Sequence, residues 1–170
     1  QVNKFLGSNK TFAKTMHFVL QKLSDQNFPL VVGFSLQEMV DLGMYSSTSN
    51  AWRAVKSFFD QQALAKLSGS LKKGQKLIKE KGGFMFYDYD LDNGYVTLKV
   101  NGSFNFDFIA PFFTICPRFL YSLNNNNAFL LGRYIFAVAR QNTQHIKIKG
   151  SFTISLEAVR QNMGLPSPDE

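Results

Sequence analysis

Residues 34–60, FSLQEMVDLGMYSSTSNAWRAVKSFFD, read as a short helix, a tight turn and a longer helix, and the fold hangs on that reading. Ser35 is placed to cap the first helix, its hydroxyl accepting from an otherwise orphan backbone N–H. Glu38, three residues on, completes a capping box. Gly43 can end the helix, because glycine enters the left-handed region without steric cost. Ser47, Thr48 or Ser49 then caps a second helix, on which Ala51, Val55, Phe58 and Phe59 form an apolar stripe at helical spacing. The opposite face offers Asn50, Arg53, Lys56 and Ser57. This is the pattern of a helix-turn-helix, whose second helix lies in the DNA major groove. An ordinary helical hairpin with a solvated basic face fits the same residues, so the flanks decide.

Upstream, Phe12, Met16, Val19, Leu20 and Leu23 recur at three- and four-residue steps, which predicts an amphipathic helix over 11–26. His17 lies within it and is expected as a satisfied or surface histidine, since no second metal-binding residue stands four positions away. Pro29 and the run 30–34, LVVGF, give a turn and a short strand. Helix, strand, helix-turn-helix is the order in which winged-helix domains begin.

Downstream, Lys66, Lys72, Lys73, Lys76, Lys79 and Lys81 place six positive charges in sixteen residues against one acid, Glu80. Read as a loop, this segment suits phosphate contacts, because lysines that neutralise phosphates release counterions. A solvated loop is the plainer alternative. Three strand-like runs follow at 84–89, 95–100 and 103–109, with turns at Asp92-Asn93-Gly94 and Asn101-Gly102. A hairpin directly after a helix-turn-helix is a wing, although three runs suggest a small sheet. Asp88, Asp90 and Asp92 imitate the opening of a calcium loop, but Asn93 replaces its glycine and Lys99 its bidentate glutamate, which argues against calcium. Phe104, Phe106 and Phe108 alternate and read as a strand's inner face rather than a platform for single-stranded bases.

The pattern then starts again. Residues 112–116 read as a short strand, 117–123 as a turn or short helix, and 128–140 as a helix apolar around much of its circumference, hence well buried. An extended basic segment over 145–149 and a strand at 152–154 are expected next. Residues 155–164, SLEAVRQNMG, repeat the capped-helix-and-glycine logic of 35–43. Residues 165–170 resemble a further helix start, as though the second copy were cut off before its own reading helix. The predicted fold class is therefore α+β: two winged-helix domains, 8–109 and 110–170, the second incomplete.

Composition fits a folded, DNA-directed chain. The 170 residues carry 45% hydrophobic and 15% aromatic residues, including 18 phenylalanines, too apolar for disorder. A net charge of +7 favours an anionic partner. The lone Cys116 sits in FFTICPRF, excludes an internal disulfide and fits a buried thiol in a reducing, cytoplasmic compartment. Neither a signal peptide nor a run of roughly 18–20 apolar residues is visible. No histidine pair with a tyrosine nucleophile and no GxxxxGK[ST] loop occurs, so no enzyme and no cofactor or metal is expected.

The order of elements resembles that of plasmid-type replication initiators, which contain two winged-helix domains. Residues 112–116, 128–140 and 154–163 are similar to the strand, long helix and "isl..L" helix that open the second domain in that family. The resemblance implies that the first domain contributes to dimerisation and the second reads origin repeats. The expectation is sequence-specific binding of double-stranded DNA, by a replication initiator or a winged-helix transcriptional regulator, with a homodimer as candidate assembly. A protein-interaction module with incidental charge is the alternative from another class. Ser49, Asn50 and Arg53 are the expected base-facing residues, with Ser57 on the same face. Lys56, Lys72, Lys73, Lys76 and Lys79 are the expected phosphate contacts.

Overall fold

The computed structural model describes residues 13–64, 70–73, 76–79, 85–102 and 117–163; for 63–64, 70–73 and 76–79 the description is of the backbone. Helix α1 (Ala13–Asp25) buries Met16, Val19, Leu20 and Leu23, as their spacing requires. It closes with Asn27 in the left-handed region (φ 61°) and the Phe28 N–H donating to the Leu23 carbonyl at 2.7 Å. Asparagine tolerates that conformation better than most residues other than glycine.

Strand β1 (Val31–Ser35) runs directly into helix α2 (Leu36–Asp41). The Ser35 hydroxyl caps α2, accepting from the Gln37 N–H at 3.1 Å. The capping box is not completed as its spacing implied, because the Glu38 carboxylate pairs with Lys22 of α1 instead. That ion pair ties α2 to α1 where a box would have tied α2 only to itself. Gly43 (φ 73°) ends the helix. Its N–H donates to the Val40 carbonyl at 2.8 Å and the Met44 N–H donates to that of Met39 at 3.0 Å, the bond pair of a Schellman motif. Met39 and Met44 are both buried beside it. Helix α3 (Thr48–Leu64) then starts on Ser47, whose hydroxyl accepts from the Asn50 N–H at 3.2 Å.

The main sheet is antiparallel, with strand order β1-β5-β4, where β4 is Phe86–Asp92 and β5 is Tyr95–Val100. Asn93 and Gly94, at φ 48° and 78°, form the two-residue turn between β4 and β5. Paired positive φ values match the twist of the flanking strands. Val32 and Phe34 of β1 stand opposite Leu98 and Val96 of β5, and all four are buried. Between α3 and β4, the described part of the lysine-rich segment is not loop but two strands, β2 (Ser70–Lys73) and β3 (Lys76–Lys79), which form a separate antiparallel pair. The sequence permits it, since Leu71, Leu77 and Ile78 interleave with the lysines and Gly74-Gln75 separates the strands. The expected strand at 103–109, the strand at 112–116 and Cys116 lie outside the described residues.

Four helices follow: α4 (Arg118–Tyr121), α5 (Asn126–Gln141), α6 (Thr143–Lys149) and α7 (Leu156–Met163). Asn125 caps α5 through an Asn127 N–H bond of 2.7 Å, and Ser155 caps α7 through an Ala158 N–H bond of 3.1 Å. Three expectations are corrected here. Helix α5 buries only Phe129 and Leu130, and its Ile135 is 41% exposed. Residues 145–149 are helical because the Ile146 N–H donates to the Asn142 carbonyl at 2.9 Å, restarting the helix just after α5 ends. Residues 152–154 form no strand, having no ladder to join among the described strands.

The described residues thus form an α+β structure of seven helices and a small three-stranded antiparallel sheet, compatible with a winged-helix-like arrangement. Its core continues past β5 into α4 and α5. Tyr121 meets Phe18 edge-on at 6.3 Å and lies 5.5 Å from Phe129. The buried Lys14 ammonium donates to the Leu123 carbonyl. His17 is buried rather than at the surface, 5.7 Å from the Phe129 ring.

Two side chains in this core allow direct tests. Gln62 is 2% exposed, and its amide bonds both backbone groups of Phe86: Nε2 donates to the carbonyl at 2.7 Å and Oε1 accepts from the N–H at 3.2 Å. Gln62→Leu leaves both groups buried without partners and should cost about 2–3 kcal/mol in urea unfolding. For His17, burial first and then the Arg133 charge hold the pKa well below its ordinary value. The unfolded chain, with an imidazole pKa of about 6.5, therefore takes up a proton that the folded chain refuses. The contribution is fully present above that pH and is lost as pH falls below it. His17→Phe should flatten the pH dependence of the urea midpoint in that acidic window.

Candidate nucleic-acid interface

Helix α3 is held by its apolar face. Ala51, Val55 and Phe58 are buried, Phe58 meets Phe86 at 6.0 Å, and Tyr89 of β4 is flanked by Phe59 at 4.7 Å and Trp52 at 5.5 Å. With that stripe facing the sheet, the remaining face must point outward. Ser49, Asn50, Arg53, Lys56 and Ser57 are all exposed there, at steps of one, three and four residues that keep them on one side of the helix. The structure brings these five together.

Their hydrogen bonding is unequal. The Asn50 side chain donates to the Ser46 hydroxyl at 2.9 Å, and the Ser57 hydroxyl accepts from Gln61 Nε2 at 2.9 Å. Arg53 and Lys56 make no ion pair with any described residue. Arg53 thus offers an uncommitted planar donor fork near the middle of the face, with Lys56 one turn on. Ser46 does not stand out in the sequence, although a serine four residues before an asparagine at a helix start is the available signal. Asp60 is exposed one turn beyond Lys56 and bounds the basic stretch.

Lys72, Lys73, Lys76 and Lys79 fall on β2 and β3, where Lys73 stands opposite Lys76, Lys72 opposite Leu77 and Ser70 opposite Lys79. The remaining lysines of the segment, Lys66 and Lys81, lie outside the described residues.

The β4–β5 hairpin has the contrary charge. Asp88, Asp90 and Asp92 pair with Lys99, Thr97 and Tyr95, on the side of the sheet opposite the buried Val96, Leu98 and Val100. Lys99 bonds Asp88 at 2.6 Å, and that hydrogen bond holds the Asp88 carboxyl below its ordinary pKa. The Asp90 carboxylate accepts from its neighbour Leu91 N–H at 2.9 Å. Among the described residues no group of three or more His, Cys, Asp or Glu side chains is placed to hold a metal ion. No helix among them is long and apolar enough to cross a membrane.

Comparison with known protein families, curated proteins and solved structures returns no match.

The start of α3 sets where its outward face begins, so its cap can be tested apart from its ligand. Ser47→Ala should lower stability by about 1 kcal/mol through loss of the N-cap. Thermal unfolding followed by helix ellipticity checks this, and Ser47→Asp should restore the wild-type value.

Proposed function

We propose that the chain binds double-stranded DNA in a sequence-specific manner, with α3 in the major groove. The observation that carries this reading is the topology around an outward polar helix. With the β2–β3 pair set aside as an insertion, the order α1, β1, α2, α3, β4, β5, with β1 beside β5, is compatible with a winged-helix arrangement in which α3 would be the recognition helix. In such folds the second helix of the turn reads base edges with its N-terminal residues. Arg53 is the residue on the exposed face best equipped to do so, since arginine bonds guanine O6 and N7 bidentately. Lys56 and the lysines of β2 and β3 supply phosphate contacts, which fix register without reading sequence.

A finer role as a replication initiator of a plasmid or mobile element, working in the cytoplasm as a homodimer, rests on the resemblance in element order. The capped helix α7, starting on Ser155, is consistent with it. A transcriptional regulator would use the same face on a different site.

Titration of labelled duplexes across salt concentrations tests the binding itself: log affinity should fall linearly with log salt, and a flat response overturns the proposal. With a selected duplex, Arg53→Ala should cost about 1–3 kcal/mol against that site and leave binding to unrelated duplex unchanged. Equal weakening on every sequence would make Arg53 a phosphate contact.

A further inference from the structure

The β4–β5 hairpin occupies the position of the wing, the element expected to lie along the DNA backbone beside the reading helix. Its charge is wrong for that task. Its edge strand carries Asp88, Asp90 and Asp92 on the outer side, and its tip is Asp92-Asn93-Gly94-Tyr95. Among the described residues only Asp88 is neutralised, by Lys99. Carboxylates beside a phosphate backbone repel it, and the Asp90 and Asp92 carboxylates form no ion pair with a lysine or arginine among the described residues.

The β2–β3 pair has the opposite anomaly. Lys73 stands directly opposite Lys76. Like charges in register partners destabilise a ladder, so a pair with no third strand among the described residues is poorly placed to carry one. An anion bound by both strands turns that repulsion into attraction. Lys72 and Lys79 fall at the alternate register positions, on the opposite face of the pair, so each face carries two lysines. The pair also starts close to the reading helix in the chain, since α3 ends at Leu64 and β2 begins at Ser70. The intervening residues span at most about 20 Å, roughly one turn of duplex or less.

We infer that the phosphate clamp of this chain is the inserted β2–β3 hairpin, and that the acidic β4–β5 hairpin is kept off the DNA. The inference rests on the duplex-binding reading above and divides its labour. Helix α3 reads bases, the inserted hairpin holds the backbone, and the acidic edge strand prevents the chain from docking sheet-first. The two hairpins thus act with opposite sign on the same polyanion.

The experiment is a salt titration with the full chain and one selected duplex, comparing three variants. Replacing Lys72, Lys73, Lys76 and Lys79 together by glutamine should flatten the log–log slope by about 2, because strand alternation places Lys73 and Lys76 on one face and Lys72 and Lys79 on the other, and a single backbone lies against one face. The same variant should melt no lower than wild type without DNA, because it removes the Lys73–Lys76 repulsion. Asp92→Lys should leave the slope unchanged, since a tip remote from the backbone cannot reach a phosphate. The inference is overturned if the glutamine variant, folded by its melting curve, keeps the wild-type slope, or if Asp92→Lys steepens the slope by about one. Arg53→Ala separates the two levels. Salt-dependent binding with an Arg53-dependent base preference but a hairpin-independent slope sinks this inference alone. Absence of salt-dependent binding by the wild-type chain sinks the duplex-binding reading and this inference with it.

Discussion

The pairing of β1 with β5 is the constraint on which the arrangement depends. It joins segments about sixty residues apart, with Val32 opposite Leu98 and Phe34 opposite Val96. Because strand side chains alternate, a one-residue slip of β1 against β5 would turn Val32 and Phe34 to solvent and bring Gly33 inward. The register is therefore held by burial on one face. It is reinforced where β1 hands over to α2, since the Leu36 N–H donates to the Gly94 carbonyl at 2.9 Å. The first peptide of α2 is thereby bonded to the β4–β5 turn. The direction of α2, and through the Gly43 turn that of α3, follows from the sheet.

On this frame the chain segregates its charge. Arg53 and Lys56 lie on the outward side of α3 and four lysines fall on β2–β3, whereas β4 alternates aspartates along its outer side. The buried joint between α1 and α5 is handled differently: Lys14 gives its ammonium to a carbonyl and His17 stays neutral against Phe129. Burial makes charge costly there, so hydrogen bonding and proton loss replace ion pairing.

Much of the first half was legible in the sequence, because its boundaries are set by residues with one physical job. Ser35, Gly43, Ser47 and Asn93-Gly94 act through local geometry, and local geometry survives in a sequence. The outward placement of Ser49, Asn50, Arg53, Lys56 and Ser57 followed from the same helical period that buries Ala51, Val55 and Phe58. What was not legible depends on partners distant in the chain. Glu38 fits a capping box until Lys22 of α1 comes within reach. Gln62 looks like another polar residue of a surface helix, and only its two bonds to the Phe86 backbone, twenty-four positions on, show what its buried amide does. In the second half, apolar content overstated the burial of α5, and the alternation of 152–154 had no neighbouring strand to make it one. The lysine segment hid its ladder because charge density reads as loop, while the pairing of β2 with β3 joins two short runs that carry no alternation.

The double bond between Gln62 and Phe86 carries a consequence for how this chain can change. It fixes the points at which the backbone leaves α3 and re-enters the sheet, twenty-four positions apart in the chain. Whatever lies between departs from and returns to the same clamp. Lengthening such a loop is entropically mild, about 0.6 kcal/mol for each doubling. Changes of length between the end of α3 at Leu64 and the buried Met85 therefore place little strain on the rest, and the inserted hairpin becomes the part of the molecule freest to diverge between lineages while α3 and the sheet stay put.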